Sequence, residues 1–173
     1  MGFPVFVVDD GSTDDTSRRL AEVQGIEVLR HEKNEGKGAA ILTGFMAASH
    51  KADYAITIDA DGQHDPEDAI HLMDAIPLKK RPIVVGARRG MDAVQGGHIP
   101  WTSRFGRKFS NFWVRMSGGP EISDTHSGMR IYTLPESLSL PVRARRFQFD
   151  VALLVPAKRV GIPHIQAPIR VVT

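Results

Sequence analysis

The stretch "YAITIDADGQHDPEDAI", residues 54–70, joins an apolar run to two aspartates, a turn and the pattern of a helix start. Asp59 and Asp61 stand two residues apart, and in extended backbone such side chains point to the same side. At a strand end they can hold one hard divalent cation through oxygen. Gln63 offers a further oxygen, and Asp65 is a natural N-cap for the following helix. The segment predicts a strand followed by a helix, with either a metal site or a plain turn between them.

Other interpretations of this segment compete with a metal site. A plain Asp-Gly turn with a capping Asp65 explains the same residues without any ligand. An EF-hand loop also begins Asp-x-Asp, but it requires glycine at the sixth position and glutamate at the twelfth. Here Gly62 is fourth and Ile70 is twelfth, which excludes that loop. Phosphatases of the haloacid dehalogenase type carry Asp-x-Asp-Gly near the N-terminus, usually with Thr or Val next. This chain has Gln63 at that position and two predicted strands before the motif, so a phosphatase of this type is a weaker alternative.

The segments before and after this stretch alternate between strand and helix patterns. Apolar runs at residues 3–8, 25–31, 54–59 and 81–89 predict four strands. Helices are predicted at 17–24, in the later part of 34–49 and at 65–76. This alternation is typical of an α/β fold with a mostly parallel sheet and helices on both faces. In such sheets ligands bind beyond the carboxyl ends of the strands, where both aspartate clusters lie.

After Gly90 the pattern changes. We expect a loop, then a basic, aromatic helix at 104–119, then a turn and a strand within 122–134. A helix at 149–161 should kink or end near Pro156, and a last strand at 163–172 contains prolines that suit a sheet edge. The sequence shows no repeat or second domain, so residues 1–173 are predicted to form a single domain.

Composition narrows the class of protein. The chain has 173 residues, 42% hydrophobic and 24% charged, as is ordinary for a globular domain. The absence of cysteine excludes disulfides and thiol catalysis. No apolar run reaches the roughly 20 residues of a membrane span, and the N-terminus lacks signal-peptide features, so we expect a cytoplasmic protein.

Residues 1–78 hold 15 Asp and Glu against 6 Lys and Arg, whereas residues 79–173 hold 5 Asp and Glu against 16 Lys and Arg. An acidic half suits a cation and a basic half suits phosphates or an anionic surface, although solvated surface charge explains any single residue equally well.

Two further motifs carry polar groups at predicted strand or helix ends. In "VVDDGSTDDT", Asp9 and Asp10 end a strand and can hydrogen-bond a ribose or a base, while the following residues equally suit a helix-capping turn. In "NEGKGAA", Lys37 stands between two glycines just before a helix, which suits an anion pocket but also a plain turn with a solvated lysine.

Taken in order, the segments "VVDDGSTDDT", "NEGKGAAILTGF", "IDADGQHDPED", "VVGARR" and "SDTHSGMRIY" resemble the family-two glycosyltransferases of the GT-A fold. Within that family the chain is most similar to the dolichol-phosphate mannose synthase-like branch, the polyprenyl-phosphate glycosyltransferases. The resemblance runs from Val5 to Val172.

The resemblance implies a donor site for a nucleoside-diphosphate sugar, GDP- or UDP-linked. In the family, the Asp-x-Asp motif binds Mg²⁺ or Mn²⁺, which bridges the donor diphosphate and stabilises the charge that grows on it as the sugar bond breaks. The implied metal ligands are Asp59, Asp61 and Gln63. The implied nucleotide-sugar site consists of Asp9, Asp10, Gly11, Ser12, Lys37, Asp59, Ala60 and Asp61.

The resemblance also implies an acceptor site for a polyprenyl or dolichyl phosphate and an inverting transfer of the sugar to it. Arg88, Arg107 and Ser110 match positions that contact the acceptor phosphate. Asp124 matches the base of relatives that use hydroxyl acceptors, and Arg130 is expected either to bind phosphate or to pair with Asp124. The implied catalytic set is therefore Asp124, Arg88 and Arg130. Two alternatives stay open, namely transfer to a saccharide hydroxyl and a shortened, inactive binding module.

The chain also departs from the family pattern. The family usually opens with one more strand and helix, it continues beyond the position of Thr173, and it has a glutamate where this chain has Ala152. We therefore expect a domain truncated at both ends. Without its first strand the domain should either bind nucleotide weakly or have the gap filled by a second copy or a partner chain. The helix "FSNFWVRM" and the segment 143–146 are expected to touch an anionic membrane at its cytoplasmic face, or else to be a core-facing stripe and a solvated loop. No nucleic-acid partner is expected.

Overall fold

A computed structural model describes residues 2–88, 114–125, 127–142 and 148–170. Strands and helices alternate along the chain, which confirms the predicted α/β class. In chain order the elements are β1 (Val5–Asp9), α1 (Thr16–Ala21), β2 (Ile26–Arg30), α2 (Lys37–Ser49), β3 (Tyr54–Thr57), α3 (Glu67–Asp74), β4 (Ile83–Arg88), β5 (Arg130–Thr133), a 3-10 turn (Glu136–Ser139), α4 (Phe149–Ala152), α5 (Leu154–Arg159) and β6 (His164–Ile169).

The strands form two sheets among the described residues. β1 and β2 pair in parallel, with Val5 opposite Ile26 and Asp9 opposite Arg30. The other four strands have the order β3-β5-β4-β6, in which β6 runs parallel to β4. β5 lies between β3 and β4 and is antiparallel to both. β5 follows β4 in the chain but lies between β3 and β4 in the sheet. The alternation of strands and helices in the sequence gives the order of elements along the chain, so it could not predict this position.

The C-terminal elements follow the positions of their prolines. Pro168 lies in β6 opposite Ala87, and β6 is an edge strand as predicted, because an edge tolerates a residue without an N–H donor. The predicted helix at 149–161 is divided into α4 and α5 at Leu153. Pro156 cannot donate to the carbonyl of Ala152, so the helix is interrupted one turn before the proline rather than at it.

The four-stranded sheet has a hydrophobic cluster on each face. Ile83 and Val85 of β4 face one cluster, in which α2 and α4 supply Phe45 and Phe149. Val84 faces the other cluster, with Leu72 of α3. Successive strand residues point to opposite faces, so β4 is buried on both sides and helices cover both faces, as predicted.

Helix α2 connects the two sheets, since it packs against both β1 and β3. Phe45 is 2% exposed and its ring centroid lies 4.9 Å from that of Tyr132 on β5. The helical spacing of Ala39, Leu42, Phe45 and Met46 in the sequence predicts one apolar stripe on α2. Ala39 and Phe45 are buried and Leu42 is half-buried, whereas Met46 is 54% exposed and faces solvent. The first residue of α2, Lys37, is thereby fixed at the carboxyl ends of the strands.

In the described ranges, no helix has both the length and the apolar character needed to cross a bilayer. The predicted basic helix lies mostly outside the described residues, although residues 114–116 at its end are helical. Residues 143–146 also lie outside them.

Candidate functional site

Asp9 ends β1 and organises the loop that follows. Its Oδ1 accepts a hydrogen bond from the Ser12 N–H at 2.9 Å, and its Oδ2 accepts from the Ser17 hydroxyl at 2.5 Å and from Arg30 at 3.0 Å. Hydrogen bonds from Ser12 and Ser17, helped by the charge of Arg30, lower the pKa of Asp9 to about 2. The carboxylate is therefore ionised at neutral pH, and it holds the loop and the first turn of α1 together.

Asp10 stabilises the loop that leads into α2. Its oxygens accept the N–H groups of Glu35 at 2.9 Å and Gly36 at 2.8 Å, and His31 Nδ1 lies 2.7 Å from Oδ1. His31 Nε2 lies 2.9 Å from the Thr43 hydroxyl on α2. Burial acts to raise the pKa of Asp10, but the hydrogen bonds outweigh it and the pKa lies below its usual value. Asp10 thus links the β1 loop to the start of α2.

Gly11 allows these two loops to pack against each other. Its φ is +71°, and a Cβ at this position would lie 2.5 Å from the carbonyl carbon of Lys33. Only glycine accepts both the left-handed backbone and this contact. On the same loop, the Ser12 carbonyl accepts a hydrogen bond from Arg30 at 3.0 Å. Gly11 and Ser12 therefore shape the floor of the site at the ends of β1 and β2.

Lys37 lies between two carboxylates. Its Nζ is 2.8 Å from each carboxylate oxygen of Asp59 and 3.0 Å from Asp150 Oδ2. Burial acts to lower the pKa of Lys37, but the charge of Asp150 and the hydrogen bonds to both carboxylates raise it overall. The ammonium group is therefore a permanent positive charge at the end of β3.

The Asp-x-Asp segment lies beyond the end of β3 and is open to solvent on one side. Ala60, Asp61 and Gln63 are exposed, and Asp61 Oδ1 accepts the Gln63 N–H at 3.0 Å. Asp59 is partly covered by the backbone of Gly128, where a Cβ would lie 2.1 Å from Asp59 Oδ2. A residue larger than glycine at 128 would displace the Asp59 carboxylate.

Arg88 and Asp124 form a bidentate ion pair at the end of β4. Arg88 Nε lies 2.7 Å from Asp124 Oδ2, and Arg88 Nη2 lies 2.9 Å from Oδ1. The hydrogen bonds with Asp124 raise the pKa of Arg88, and the charges of Asp61 and Asp59 raise it further. Because β3 and β4 both run antiparallel to β5, their carboxyl ends lie at the same edge of the sheet, so Arg88 and the Asp-x-Asp segment stand at that edge.

Arg130 does not make the pair with Asp124 that the sequence left open, because Arg88 makes it. The Arg130 side chain is fully buried, and its three nitrogens donate to the carbonyls of Ser127 at 2.9 Å, Asp150 at 2.7 Å and Thr125 at 2.5 Å. Through these hydrogen bonds the guanidinium group stabilises the loop before β5. A group enclosed in this way is a structural support and not a phosphate ligand.

Asp150 is a site residue that the sequence reasoning missed. It is 6% exposed, and besides Lys37 it contacts Tyr132, whose hydroxyl donates to Asp150 Oδ1 at 3.0 Å. Burial raises the pKa of Tyr132, which keeps that hydroxyl protonated. The available signal was a single acid within the apolar segment "FDVALL".

His31 and Gly128 were also missed, and no spacing rule would have singled them out. The predicted acceptor residues Arg107 and Ser110 lie outside the described residues.

The donor atoms at the end of β3 suit a hard cation. Asp59 and Asp61 supply carboxylate oxygens, the ligands that Mg²⁺ and Mn²⁺ prefer, and the ammonium group of Lys37 already occupies the cation position on Asp59. Among the described residues, no three His, Cys, Asp or Glu side chains are grouped to hold a metal. The chemistry of the two carboxylates suits a hard cation, but the described residues supply fewer than three such side chains, so the remaining ligands would have to be phosphate oxygens or water.

Comparison with known proteins gives consistent results. The family model "Glycosyl transferase family 2" matches residues 2–134. The chain is 29% identical to a UDP-N-acetylglucosamine–dolichyl-phosphate N-acetylglucosaminyltransferase of Methanococcus voltae, over 97% of this chain and 74% of the relative. It is 30% identical to a polyprenol monophosphomannose synthase of Mycolicibacterium smegmatis, over 95% of this chain and 65% of the relative.

Among solved structures, the chain is similar to glucosyl-3-phosphoglycerate synthase of Mycobacterium tuberculosis in complex with Mn²⁺, UDP and phosphoglyceric acid. The TM-score is 0.73 at 22% identity, over 97% of this chain and 58% of that chain. This similarity concerns the fold, and it confirms the expected GT-A type. The chain spans less than two thirds of the length of that structure.

Proposed function

Because the chain belongs to glycosyl transferase family 2, we propose that it transfers a sugar from a GDP- or UDP-sugar to a polyprenyl or dolichyl phosphate, with inversion and with Mg²⁺ or Mn²⁺. One observation carries the proposal. The Asp-x-Asp segment, Lys37 and the Arg88–Asp124 pair lie at the carboxyl ends of β3 and β4, which share one edge of the sheet, and this combination of acidic and basic side chains supports a site for a metal ion and phosphate groups.

The donor half of the site would be formed by Asp59, Asp61 and Lys37. The two carboxylates would hold the metal ion, which when bound supplies positive charge to the leaving diphosphate. Lys37 adds a second positive charge next to Asp59. The loops that Asp9 and Asp10 organise line the same end of the sheet, and they would receive the nucleoside.

The acceptor half would be centred on Arg88. A phosphate acceptor is already ionised at neutral pH, so it needs positioning by a cation and no proton acceptor. One of its oxygens would form the new bond to the anomeric carbon while the bond to the diphosphate breaks, and the electron pair would leave with the diphosphate. Attack from the side opposite the leaving group inverts the configuration.

The Arg88–Asp124 pair favours a phosphate over a hydroxyl acceptor. Both oxygens of Asp124 accept hydrogen bonds from the guanidinium group. A carboxylate engaged in this way is a weak proton acceptor, whereas it is well suited to hold Arg88 in place. Two relatives are, by name, a dolichyl-phosphate N-acetylglucosaminyltransferase and a polyprenol monophosphomannose synthase, which supports the same choice.

A transfer assay tests the proposal. Purified protein is incubated with Mn²⁺, a short polyprenyl phosphate and either UDP-N-acetylglucosamine or GDP-mannose, and the glycolipid is measured. We expect a glycolipid with one of the donors, its loss in Asp61→Ala, and its retention in Asp53→Ala, which removes an exposed carboxylate elsewhere. Absence of glycolipid with both donors would contradict the proposal, and release of inorganic phosphate without an acceptor would indicate a phosphatase.

A further inference from the structure

The contacts of Lys37 show that a cation of the protein itself occupies the carboxylate proposed for the metal. The ammonium group contacts both oxygens of Asp59 at 2.8 Å and one oxygen of Asp150 at 3.0 Å. We propose that Lys37 is an exchangeable counter-ion: it neutralises Asp59 without metal, and it is held by Asp150 when Asp59 binds the divalent ion. Asp150 is then a positioning residue of the donor site. This inference rests on the proposed function.

Exchange at Asp59 follows from the geometry of the contact. Because Nζ lies equally close to both oxygens, it covers the position from which a metal ion would approach the carboxylate. Two cations cannot share that position, since like charges a few ångströms apart repel strongly in a partly buried site. A metal ion that binds both oxygens of Asp59 at this position must therefore displace the ammonium group.

Asp150 is held in a position where it can bind the displaced ammonium group. It is buried, its Oδ1 is fixed by the Tyr132 hydroxyl, and its main-chain carbonyl accepts from Arg130 at 2.7 Å. Its Oδ2 lies 3.0 Å from Lys37 Nζ. Lys37 begins α2, so its backbone is held while its side chain moves between the two carboxylates.

The buried carboxylate of Asp150 keeps Lys37 as its ionic partner in both states. Without metal, one ammonium group serves both Asp59 and Asp150. With metal on Asp59, Lys37 and Asp150 form a simple pair, which avoids the large penalty of an unpaired buried charge. The ammonium group then also remains beside the incoming diphosphate. Lys37 should consequently compete with the metal when no diphosphate is present.

Two measurements with metal alone test the exchange. In the first, NMR of ¹³Cε-labelled lysines follows the Lys37 signal, assigned by its loss in Lys37→Met, during titration with Mg²⁺. We expect a shift in the wild type while the side chain stays ordered, and a shift with loss of order in Asp150→Asn. The asparagine keeps the shape and the Tyr132 hydrogen bond but removes the charge. Asp61→Ala should weaken the Mg²⁺ response.

In the second, Mn²⁺ binding is measured by electron paramagnetic resonance. Lys37→Met should bind Mn²⁺ about tenfold more tightly than the wild type, because the competing charge is gone. Lys37→Arg, which keeps the charge, should not bind more tightly than the wild type.

The outcomes separate this inference from the proposed function. If Mn²⁺ binds in an Asp61-dependent manner but Lys37 is equally ordered in Asp150→Asn with Mg²⁺, or if Lys37→Met binds Mn²⁺ no more tightly, the exchange is refuted and the metal site stands. If neither the wild type nor Lys37→Met binds metal, the proposed metal site fails and the exchange fails with it.

Discussion

Single residues determine which acceptor chemistry the site allows. Asp124 and Arg88 are largely buried and joined by two hydrogen bonds, so a change in either one acts on both. Arg130, by contrast, acts through three main-chain carbonyls. The sequence identified all three as polar residues of interest but could not assign partners, because partners depend on how the loop before β5 is folded.

Asp124→Asn tests the acceptor assignment. With a polyprenyl phosphate acceptor we expect kcat to fall by about tenfold, because Arg88 loses its ionic partner while the acceptor needs no base. With a hydroxyl acceptor the loss should approach about a thousandfold, because proton abstraction would fail. Loss of the buried ion pair should also lower the free energy of unfolding by about 3 kcal/mol, measurable by urea denaturation. Complete inactivity of the folded variant with polyprenyl phosphate would contradict the positioning role.

Gly128→Ala tests the packing of the Asp-x-Asp segment. The new Cβ would lie 2.1 Å from Asp59 Oδ2, so the carboxylate must move and Mn²⁺ affinity should fall by at least about tenfold. Gly44→Ala is the matched control, since its Cβ would make an ordinary 3.5 Å contact with Val8. Equal Mn²⁺ affinity in the two variants would show that Gly128 does not position Asp59.

Asp9 gives the protein a defined acid sensitivity. Its pKa is about 2 when folded against an ordinary value of 3.8, so its contribution to stability is fully present above about pH 4 and is lost as the pH falls towards 2. We expect the melting temperature to fall over this range, and to fall less steeply in Asp9→Asn. Thermal denaturation monitored by circular dichroism measures both slopes, and identical slopes would contradict the assignment.

At the scale of elements, α2 is the helix on which the site depends. It joins the two sheets through its buried face and presents Lys37 at its first turn. Of the four apolar residues at helical spacing, Ala39 and Phe45 are buried and Met46 faces solvent, because the stripe is wider than the face that the sheets cover. The spacing did not select Ala48, which is also buried. The antiparallel direction of β5 was not predictable, since a four-residue strand carries no signal of direction.

Phe45→Ala tests the anchoring of α2. Phe45 is fully enclosed and packs on Tyr132, so truncation should lower the free energy of unfolding by about 3–5 kcal/mol. The neighbouring Met46→Ala should change it by less than about 0.5 kcal/mol, because that side chain faces solvent. Urea denaturation of both variants gives the comparison, and similar losses would mean that α2 is packed through a different face.

At the scale of the whole molecule, the acidic and basic halves of the sequence meet at one end of the sheets. The acidic half supplies the Asp-x-Asp segment and the β1 loop, and the basic half supplies Arg88. The motifs predicted that both aspartate clusters lie at strand ends, because ligand sites of an α/β fold lie beyond the carboxyl ends of its strands, whereas Arg88 was assigned through the family resemblance. What they could not predict were Asp150 and Gly128, whose importance arises from contacts between segments far apart in the chain.

The most direct test of the central claim is isothermal titration of UDP and GDP into the wild type and Asp61→Ala, each with and without Mn²⁺. The account predicts that one nucleotide binds the wild type, that Mn²⁺ tightens this binding by at least about tenfold, and that Asp61→Ala abolishes the Mn²⁺ effect. Failure of both nucleotides to bind the wild type, or binding that neither Mn²⁺ nor Asp61→Ala alters, would contradict a metal-dependent nucleotide-sugar site at the end of β3.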